Sequence, residues 1–455
     1  MSKMDDVMDI VRRYNIQIVR FIYVGLDGVL RAKASYLDEL EDHLTYGIGL
    51  TMAMQSFTSL DTLLSEPRFG PESEDVFLVP DLETFAPITY SEGQGRAICD
   101  MRLKDGGEWS FCTRSLLRRL SRKYEEEIGA RFQCAAETEF YILKQSALDK
   151  VEPVDWAKCF STVGYDTLGE IALEIINALK ASGITVVRLI KEYGPGQLEI
   201  NMKHRDILRS ADDMVVLRDA AKGIAAKHGL VATFMPKPFD WHAGSGMHFH
   251  ISALDTKTGK NIFYDKNDKR GLNLSKIAYY FIAGILHHMK ALSAIVASTV
   301  NSYKRLVPGS WAPSNICYGY NNRSAAIRIP TTRVGKEEKN IRLEFRTPDA
   351  AANPYLALAA TIAAGIHGVR EELDPGDPVN TDAYKLSQEE RIKKNVELLP
   401  GSLREALAYL EKDSYLKSEL GSELIEEYIK VKKVECDAYD HYVSPWEIKN
   451  YVPVF

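Results

Sequence analysis

Glu137 and Glu139 stand two residues apart, alternating with Phe132, Cys134, Ala136, Phe140 and Ile142 in the stretch Arg131 to Ile142. Successive side chains of a strand point to opposite faces, so the spacing predicts a strand with an apolar row on one side and both carboxylates on the other. Three more stretches repeat the pattern. Leu198, Ile200 and Met202 oppose Gln197, Glu199 and Asn201; Met247, Phe249 and Ile251 oppose His248 and His250; Ile341, Leu343 and Phe345 oppose Arg342, Glu344 and Arg346. Ordinary half-buried strands expose Thr, Lys, Ser and Gln, whereas these four wet faces carry mostly chemically active groups, which predicts one metal-lined cavity.

Desolvated neighbouring carboxylates repel, and one takes up a proton unless a cation neutralises the pair. Glu192 and Glu199 bracket a Tyr193-Gly194-Pro195-Gly196 turn that can swing Glu192 back beside the strand bearing Glu199. Glu137, Glu139, Glu192, Glu199, His248 and Glu344 make five carboxylates and one imidazole, enough for two cations with three protein ligands each. Oxygen-dominated ligation selects Mg²⁺ or Mn²⁺ over zinc and leaves positions open for water and phosphate oxygens. Arg323, Arg328, Arg342 and Arg346, in or beside these strands, then fit as phosphate clamps. Metal with arginine is the electrostatic equipment of phosphoryl transfer. The chain has no G-x-x-x-x-G-K-[ST] loop and no kinase signature, so a bound nucleotide is held by another fold. For any single Glu–Arg pair a solvated salt bridge is the simpler reading; for the whole set together it is not. His250 stands open between orienting a substrate and ligating metal, and His287-His288, inside a helix, and His242, in a loop, read as ordinary residues.

The elements that must position these groups follow from periodicity and turn signals. Residues 4 to 13 predict a short helix and Ile16 to Val24 a strand, with Asp27-Gly28 turning into a second strand, Val29 to Ser35. Asp38 to Leu44 reads as helix and Asp75 to Leu82 as strand, and this small α+β unit ends near Gly106-Gly107. Thr113 is placed to cap a helix over Ser115 to Ile128. Amphipathic helices are expected over Leu168 to Ser182, Ser210 to His228, Leu274 to Thr299 and Asn353 to Glu372, and again within Leu403 to Tyr442 after a Pro/Gly loop. Strands separated by long helices also fit a parallel sheet, but one-sided polar faces favour an antiparallel sheet with one wet surface.

At 455 residues the chain exceeds a single core, so two or more domains are expected. A net charge of -6, with basic residues scattered, gives no footprint for nucleic acid. Six cysteines far apart, several in apolar runs, read as buried free thiols and fit a reducing cytoplasm. Met1 to Arg12 lacks a signal-peptide core, and the longest apolar runs fall short of the roughly 18 residues of a membrane span.

Longer motifs carry a resemblance. They are Glu137-Thr-Glu139, Lys191-Glu-Tyr-Gly-Pro-Gly-Gln-Leu-Glu199, Lys237-Pro with Gly244-Ser-Gly-Met-His-Phe-His250, Asn301-Ser-Tyr-Lys-Arg-Leu-Val-Pro-Gly309, Asn322-Arg-Ser-Ala-Ala-Ile-Arg-Ile-Pro330, and Arg342-Leu-Glu-Phe-Arg346 leading to Ala352-Asn-Pro-Tyr355. With these in order, the chain resembles the glutamine synthetase family over nearly its whole length. The resemblance implies an α+β fold: a small β-grasp N-terminal domain, residues 1–107, and a large catalytic domain, residues 108–455, with an antiparallel sheet and surrounding helices. It implies a homo-oligomer of hexameric rings forming a dodecamer, with active sites between neighbouring subunits. In the family ATP phosphorylates the γ-carboxylate of glutamate, and an amine displaces phosphate from the acyl phosphate. By motif position, Glu139, Glu192 and Glu199 hold one Mg²⁺ or Mn²⁺, and Glu137, His248 and Glu344 the other. Arg305, Arg346 and Gly244 hold glutamate, Arg323 and Arg328 meet the phosphates, and His250, Ser252, Lys339 and Arg342 lie near ATP.

The chain departs from that family on the amine side. Ammonia-using members carry Glu in a Tyr-Glu-Ala-Pro context after the Asn-Ser-Tyr-Lys-Arg motif; here the loop reads Pro308-Gly-Ser-Trp-Ala-Pro313, with Trp311 at the Glu position. Their Phe-Asp-Gly-Ser-Ser stretch is absent, with Gly49 to Phe57 in its region, and Ala243 stands where Asn is usual, while Asp27 matches the amine-side aspartate. Indole cannot act as a base, but it offers an apolar wall and a π-face worth roughly 0.5–2 kcal/mol to an alkylammonium. The expectation is a ligase making a γ-glutamylamide from an organic amine. The alternatives are glutamine synthetase proper, with Asp27 and Glu192 as bases, and a non-catalytic protein of the same fold. Tyr384 falls where some bacterial members are adenylylated, but its flanking residues differ and no modification is expected.

Overall fold

The computed structural model describes residues 2–455, arranged around two sheets. Helix α1 (Lys3–Arg13) is started by a Ser2/Asp5 capping box and buries Val7 and Val11. The first sheet is built from β1 (Ile18–Val24), β2 (Leu30–Tyr36), β3 (Ile48–Thr51), β4 (Asp75–Pro80), β5 (Ala86–Pro87) and β6 (Gln94–Arg102), with α2 (Leu40–Tyr46) between β2 and β3. Its order is β2-β1-β6-β4-β3 with β5 on β6, and β1 runs parallel to β6. The β1–β2 turn needs Gly28: its φ is +90°, and a Cβ there would lie 2.5 Å from the Ala351 carbonyl oxygen.

The larger sheet contains β7 (Ala130–Ala147), β8 (Lys150–Pro153), β9 (Val186–Lys191), β10 (Gln197–Met202), β11 (Arg205–Asp206), β12 (Val231–Thr233), β13 (Met247–Asp255), β14 (Asn315–Tyr320), β15 (Ala325–Ile329), β16 (Leu343–Phe345) and β17 (Glu397–Leu398). Its order is β17-β14-β15-β16-β13-β7-β10-β9, with β8, β11 and β12 also paired to the long central β7. Every pairing is antiparallel except β14 with β15. Around it pack α3 (Thr113–Ile128), α4 (Thr162–Ala181), α5 (Ile207–Lys227), α6 (Lys276–His287), α7 (Met289–Val296), α8 (Ser302–Arg305), α9 (Glu337–Asn340) and α10 (Pro354–Arg370). The chain ends in α11 (Gln388–Lys393), α12 (Leu403–Lys412), α13 (Ser414–Leu420), α14 (Ser422–Asp440) and α15 (Pro445–Tyr451). Among the described residues no helix is long and apolar enough to cross a membrane.

Helix α10 is buried on nearly all sides and crosses α6 with backbones in contact. A Cβ on Gly284 would fall 2.1 Å from the Ala364 carbonyl oxygen, and one on Gly368 would fall 2.0 Å from that of Tyr280. The two sheets are joined by a buried charge cluster. Arg114 of α3 donates to Asp81 at 2.7 Å, to Asp100 of β6 at 2.9 Å and to both oxygens of Asp212 of α5, while Arg218 donates to the Gly28 carbonyl at 2.9 Å.

Two local expectations fail. Thr113 does not cap α3: the cap position is Cys112, which makes no side-chain capping bond, and Thr113 lies inside the helix, its hydroxyl accepting from Asn353. The single helix expected over Leu274 to Thr299 is broken into α6 and α7 at His288, whose N–H is shared between the Gly284 and Leu286 carbonyls and whose ring is tied to neighbouring helices.

Candidate active site

Strand register turns four separate sequence stretches into one wall. Glu139 of β7 stands directly opposite Glu199 of β10, and Glu137 directly opposite both Asn201 of β10 and His248 of β13. Glu344 of β16 faces His250 of β13 on one side and Arg328 of β15 on the other. Directly opposed residues share a sheet face, so carboxylates, imidazoles and a guanidinium fall in rows across five strands. The Glu192 turn is held from inside: Lys191, fully buried, donates to the carbonyls of Glu192 (2.9 Å) and Gly194 (2.7 Å), and the Gly194 N–H donates to Gln197 Oε1 at 2.8 Å. Gly194 is required there, because a Cβ would overlap the Tyr141 hydroxyl at 1.8 Å.

These residues line one cleft of about 470 Å³. It gathers all six metal-ligand candidates (Glu137, Glu139, Glu192, Glu199, His248 and Glu344). Gly244, Arg305, Trp311, Arg323, Arg328, Arg342 and Arg346 line it too. A neighbouring cavity of about 570 Å³, sharing Glu137, Arg188 and Arg342 with it, is lined by His250, Ser252 and Lys339. Asp27 is not brought to either. It sits in the β1–β2 turn with its buried carboxylate paired to Arg31 at 2.9 and 2.7 Å, and its carbonyl accepts from Lys432.

The carboxylates of the cleft divide into two electrostatic groups. Burial, with Glu139 nearby, pushes the Glu192 carboxyl up to about 7. Burial also raises Glu199 well above the carboxylate range, and Glu137, Glu139 and Glu192 add to that. Glu137 and Glu344 go the other way. Burial works to raise each, but the histidines more than offset it at Glu137, and Arg346 does so at Glu344, which is held at about 2. Glu344 is clasped by Arg328 and Arg346 on its two oxygens.

A cation fits this donor set. His248 Nδ1 is buried with no hydrogen-bond partner among the described residues, and it lies 3.6 Å from Glu137 and 3.7 Å from Glu344. Ligands about 2.1 Å from one octahedral ion sit about 3 Å apart, so small side-chain adjustments would let the three share one divalent cation. His250 offers a second nitrogen to the same carboxylates: its Nε2 is likewise buried without a hydrogen-bond partner, and the ligand atoms of Glu137, His250 and Glu344 lie within 4.8 Å of one another. Its Nδ1 accepts from Arg342 at 3.0 Å, and its Nε2 faces Glu137 at 3.1 Å. On His248 the arginine contact runs from Arg305 Nη2 to Nε2 at 3.3 Å, on the ring nitrogen away from the two carboxylates.

Trp311 stands at the edge of the cleft with a left-handed backbone (φ +60°), 58% exposed and stacked on Tyr193 at 6.0 Å. Its carbonyl accepts from Arg346 at 2.9 Å, and the next carbonyl, of Ala312, accepts from the Tyr384 hydroxyl at 2.6 Å. Trp311 and Arg323 also line a further cavity of about 470 Å³ that holds Tyr320, Asn322, Asp382 and Tyr384.

Sequence reasoning missed Arg188, His204 and Arg333, which line the second cavity, and Phe160, which lines the cleft. Arg188 was recoverable in principle, since it stands opposite Asn201 on β9, a strand the alternation signal did not single out. Arg333 and Phe160 lie outside regular elements, where spacing carries no such signal.

Comparison with known proteins places this arrangement. The family model described as "Glutamine synthetase, catalytic domain" matches residues 110–451, and "Glutamine synthetase N-terminal domain" matches residues 4–109. The glutamine synthetase of Methanococcus maripaludis is 35% identical over 465 residues, covering 100% of both chains. The glutamate–methylamine ligase of Methyloversatilis universalis is 40% identical over 395 residues, covering 84% of this chain and 85% of that protein. A solved structure described as a GmaS/ADP complex superposes with a TM-score of 0.85 at 31% identity, covering 98% of this chain and 99% of the other.

Proposed function

The chain belongs to the glutamine synthetase family, and from that premise we propose that it is an ATP-dependent ligase joining the γ-carboxylate of glutamate to an organic amine. The observation that carries the acceptor assignment is Trp311, which forms the wall shared by the carboxylate cleft and the adjoining cavity. At that place an indole stacked on Tyr193 supplies a π-face and apolar surface for the carbon of an alkyl- or arylamine. The methylamine ligase among the relatives supports the same reading.

In the proposed reaction, ATP lies along His250, Ser252, Lys339 and Arg342, and Arg323 and Arg328 engage its phosphate oxygens. Glu139, Glu192 and Glu199 would hold one Mg²⁺ or Mn²⁺ and Glu137, His248 and Glu344 another, which would supply positive charge against those oxygens. Arg305 and Arg346 hold glutamate beside Gly244, where a Cβ would strike the Pro236 carbonyl and Arg305 itself. The γ-carboxylate attacks the terminal phosphorus of ATP, forming γ-glutamyl phosphate and ADP. The amine nitrogen then attacks the acyl carbon, the C–O bond to phosphate breaks, and the amine gives up a proton. Glu192, on the cleft wall beside Tyr193 and Trp311, is the candidate base for that proton. Trp311 and Tyr193 cover the acyl phosphate against water. In a ring of copies, hexamers stacked as a dodecamer, the small domain of the next copy closes the amine side, with Asp27 and its partner Arg31 as the candidate contribution.

A second reading, glutamine synthesis from ammonia, is favoured by the relatives of that name that span the whole chain. Phosphate release from ATP and glutamate, measured with ammonium, methylamine, longer alkylamines, polyamines and aromatic amines, separates the two. An organic amine is expected to give the highest kcat/KM. Ammonium giving the highest would overturn the acceptor assignment, and no stimulation by any amine would overturn the ligase reading. Trp311→Glu is expected to move the preference toward ammonium by about 2- to 30-fold, the span of a cation–π contact.

A further inference from the structure

We infer that His287, His288 and His367 form a second metal site, one that takes zinc rather than magnesium and lies among helices that contribute nothing to the cleft. Each of the three offers a ring nitrogen, and these nitrogens lie within 4.8 Å of one another. His287 ends α6, His288 is the break between α6 and α7, and His367 is in the last turn of α10. The glycine crossing of α6 and α10 makes the meeting possible, because Gly284 is one turn before His288 and Gly368 directly follows His367.

The donor set is chemically different from that of the cleft. Three imidazoles with no carboxylate among them suit zinc and its late first-row neighbours and are poor ligands for Mg²⁺. Outer support is already built. Asp413, between α12 and α13, pairs with His288 Nδ1 at 2.6 Å, which fixes the ring and turns Nε2 inward. A carboxylate on the far nitrogen is the usual orienting partner of a metal-bound histidine. Tyr415 of α13 stacks on His367 at 4.0 Å and on His288 at 5.3 Å, confining both rings. His288 Nε2 and His367 Nδ1 share a hydrogen bond at 2.7 Å, so a metal that takes both nitrogens displaces the proton between them. Two nitrogens on one tetrahedral zinc stand about 3.3 Å apart, so the pair opens by about 0.6 Å while His287 moves in. The fourth position faces the cavity bordered by Lys290, Tyr409 and Ser414 and is filled by water or an exogenous ligand.

The site therefore clips three helical segments together at their ends. The test is zinc content of the full-length protein, stripped with chelator, reloaded with Zn²⁺ and dialysed against buffer containing millimolar Mg²⁺. Wild type is expected to retain one zinc per chain more than His287→Ala, whose exposed side chain can be removed without opening the core. Asp413→Asn is expected to weaken that zinc by about 10- to 100-fold. His287→Ala should keep wild-type ligase turnover and circular dichroism, and Glu344→Gln should keep the extra zinc. Equal zinc in wild type and His287→Ala overturns the site, as does loss of the extra zinc in Glu344→Gln, which would place it in the carboxylate cleft.

Discussion

Cation binding in the cleft should be strongly coupled to protons. The Glu192 carboxyl is pushed to about 7 in the metal-free chain, against an ordinary glutamate value near 4.3. A cation that takes Glu192 as a ligand must displace that proton, so its apparent affinity falls as pH drops through about 7. For one such group, the deprotonated fraction changes from about nine-tenths at pH 8 to about one-tenth at pH 6, a roughly tenfold change in Kd or about 1.4 kcal/mol. Glu199, raised in the same direction, makes the dependence steeper still. Glu344 does not enter this window, because its carboxyl is held at about 2 and stays ionised. The stability linkage has the corresponding sign. A carboxyl raised in the folded state stabilises the metal-free fold below its unfolded value and loses that contribution as pH rises through about 7. Metal should therefore raise Tm more at pH 8 than at pH 6. Calorimetric titration with Mn²⁺ in two buffers of different ionisation heat counts the released protons directly. Close to one or more protons per site is expected near pH 6.5, and Glu192→Gln should release about one fewer. A Kd that is the same at pH 6 and pH 8, with no proton released, would refute the reasoning.

Two further outcomes follow from the packing. Arg114→Met removes the shared partner of Asp81, Asp100 and Asp212 while Arg118 and Arg209 still reach those carboxylates, so the expected cost is that of lost charged hydrogen bonds, about 1.5–3 kcal/mol, read as a fall in Tm or denaturant midpoint. Gly284→Ala forces a methyl toward the Ala364 carbonyl, and the resulting separation of α6 from α10 should cost about 1–3 kcal/mol despite alanine's better helix propensity. A neutral or stabilising result for Gly284→Ala would show that the crossing is looser than its geometry states.

The chemistry of the wall was legible from sequence because strand alternation is local: Glu137 and Glu139 share a face whatever their partners are. Register was not legible. Nothing near Glu139 says that Glu199 stands opposite it, since that pairing is fixed by contacts between segments sixty residues apart. The same limit hid the meeting of His287 and His288 with His367, where a continuous apolar pattern masked a helix break and an interhelical crossing. Asp27 shows the converse: its match to a motif is clear in sequence, but its pairing with Arg31 and its separation from its own chain's cleft are visible only in the fold. Caps were equally uncertain, because Thr113 has the right residue type but its hydroxyl serves Asn353 instead.

The loop at Trp311 keeps its shape through main-chain oxygens, with Arg346 holding one carbonyl and Tyr384 the next. Nothing in that arrangement depends on the side chain at 311, so the loop is a socket whose occupant can change without disturbing the arginine beneath it. The left-handed backbone limits the occupants: asparagine, aspartate and glycine sit there easily, unbranched and aromatic residues at some cost, and valine, isoleucine and threonine hardly at all. A lineage can therefore revise this wall in single steps drawn from a restricted alphabet while the glutamate-facing half stays fixed.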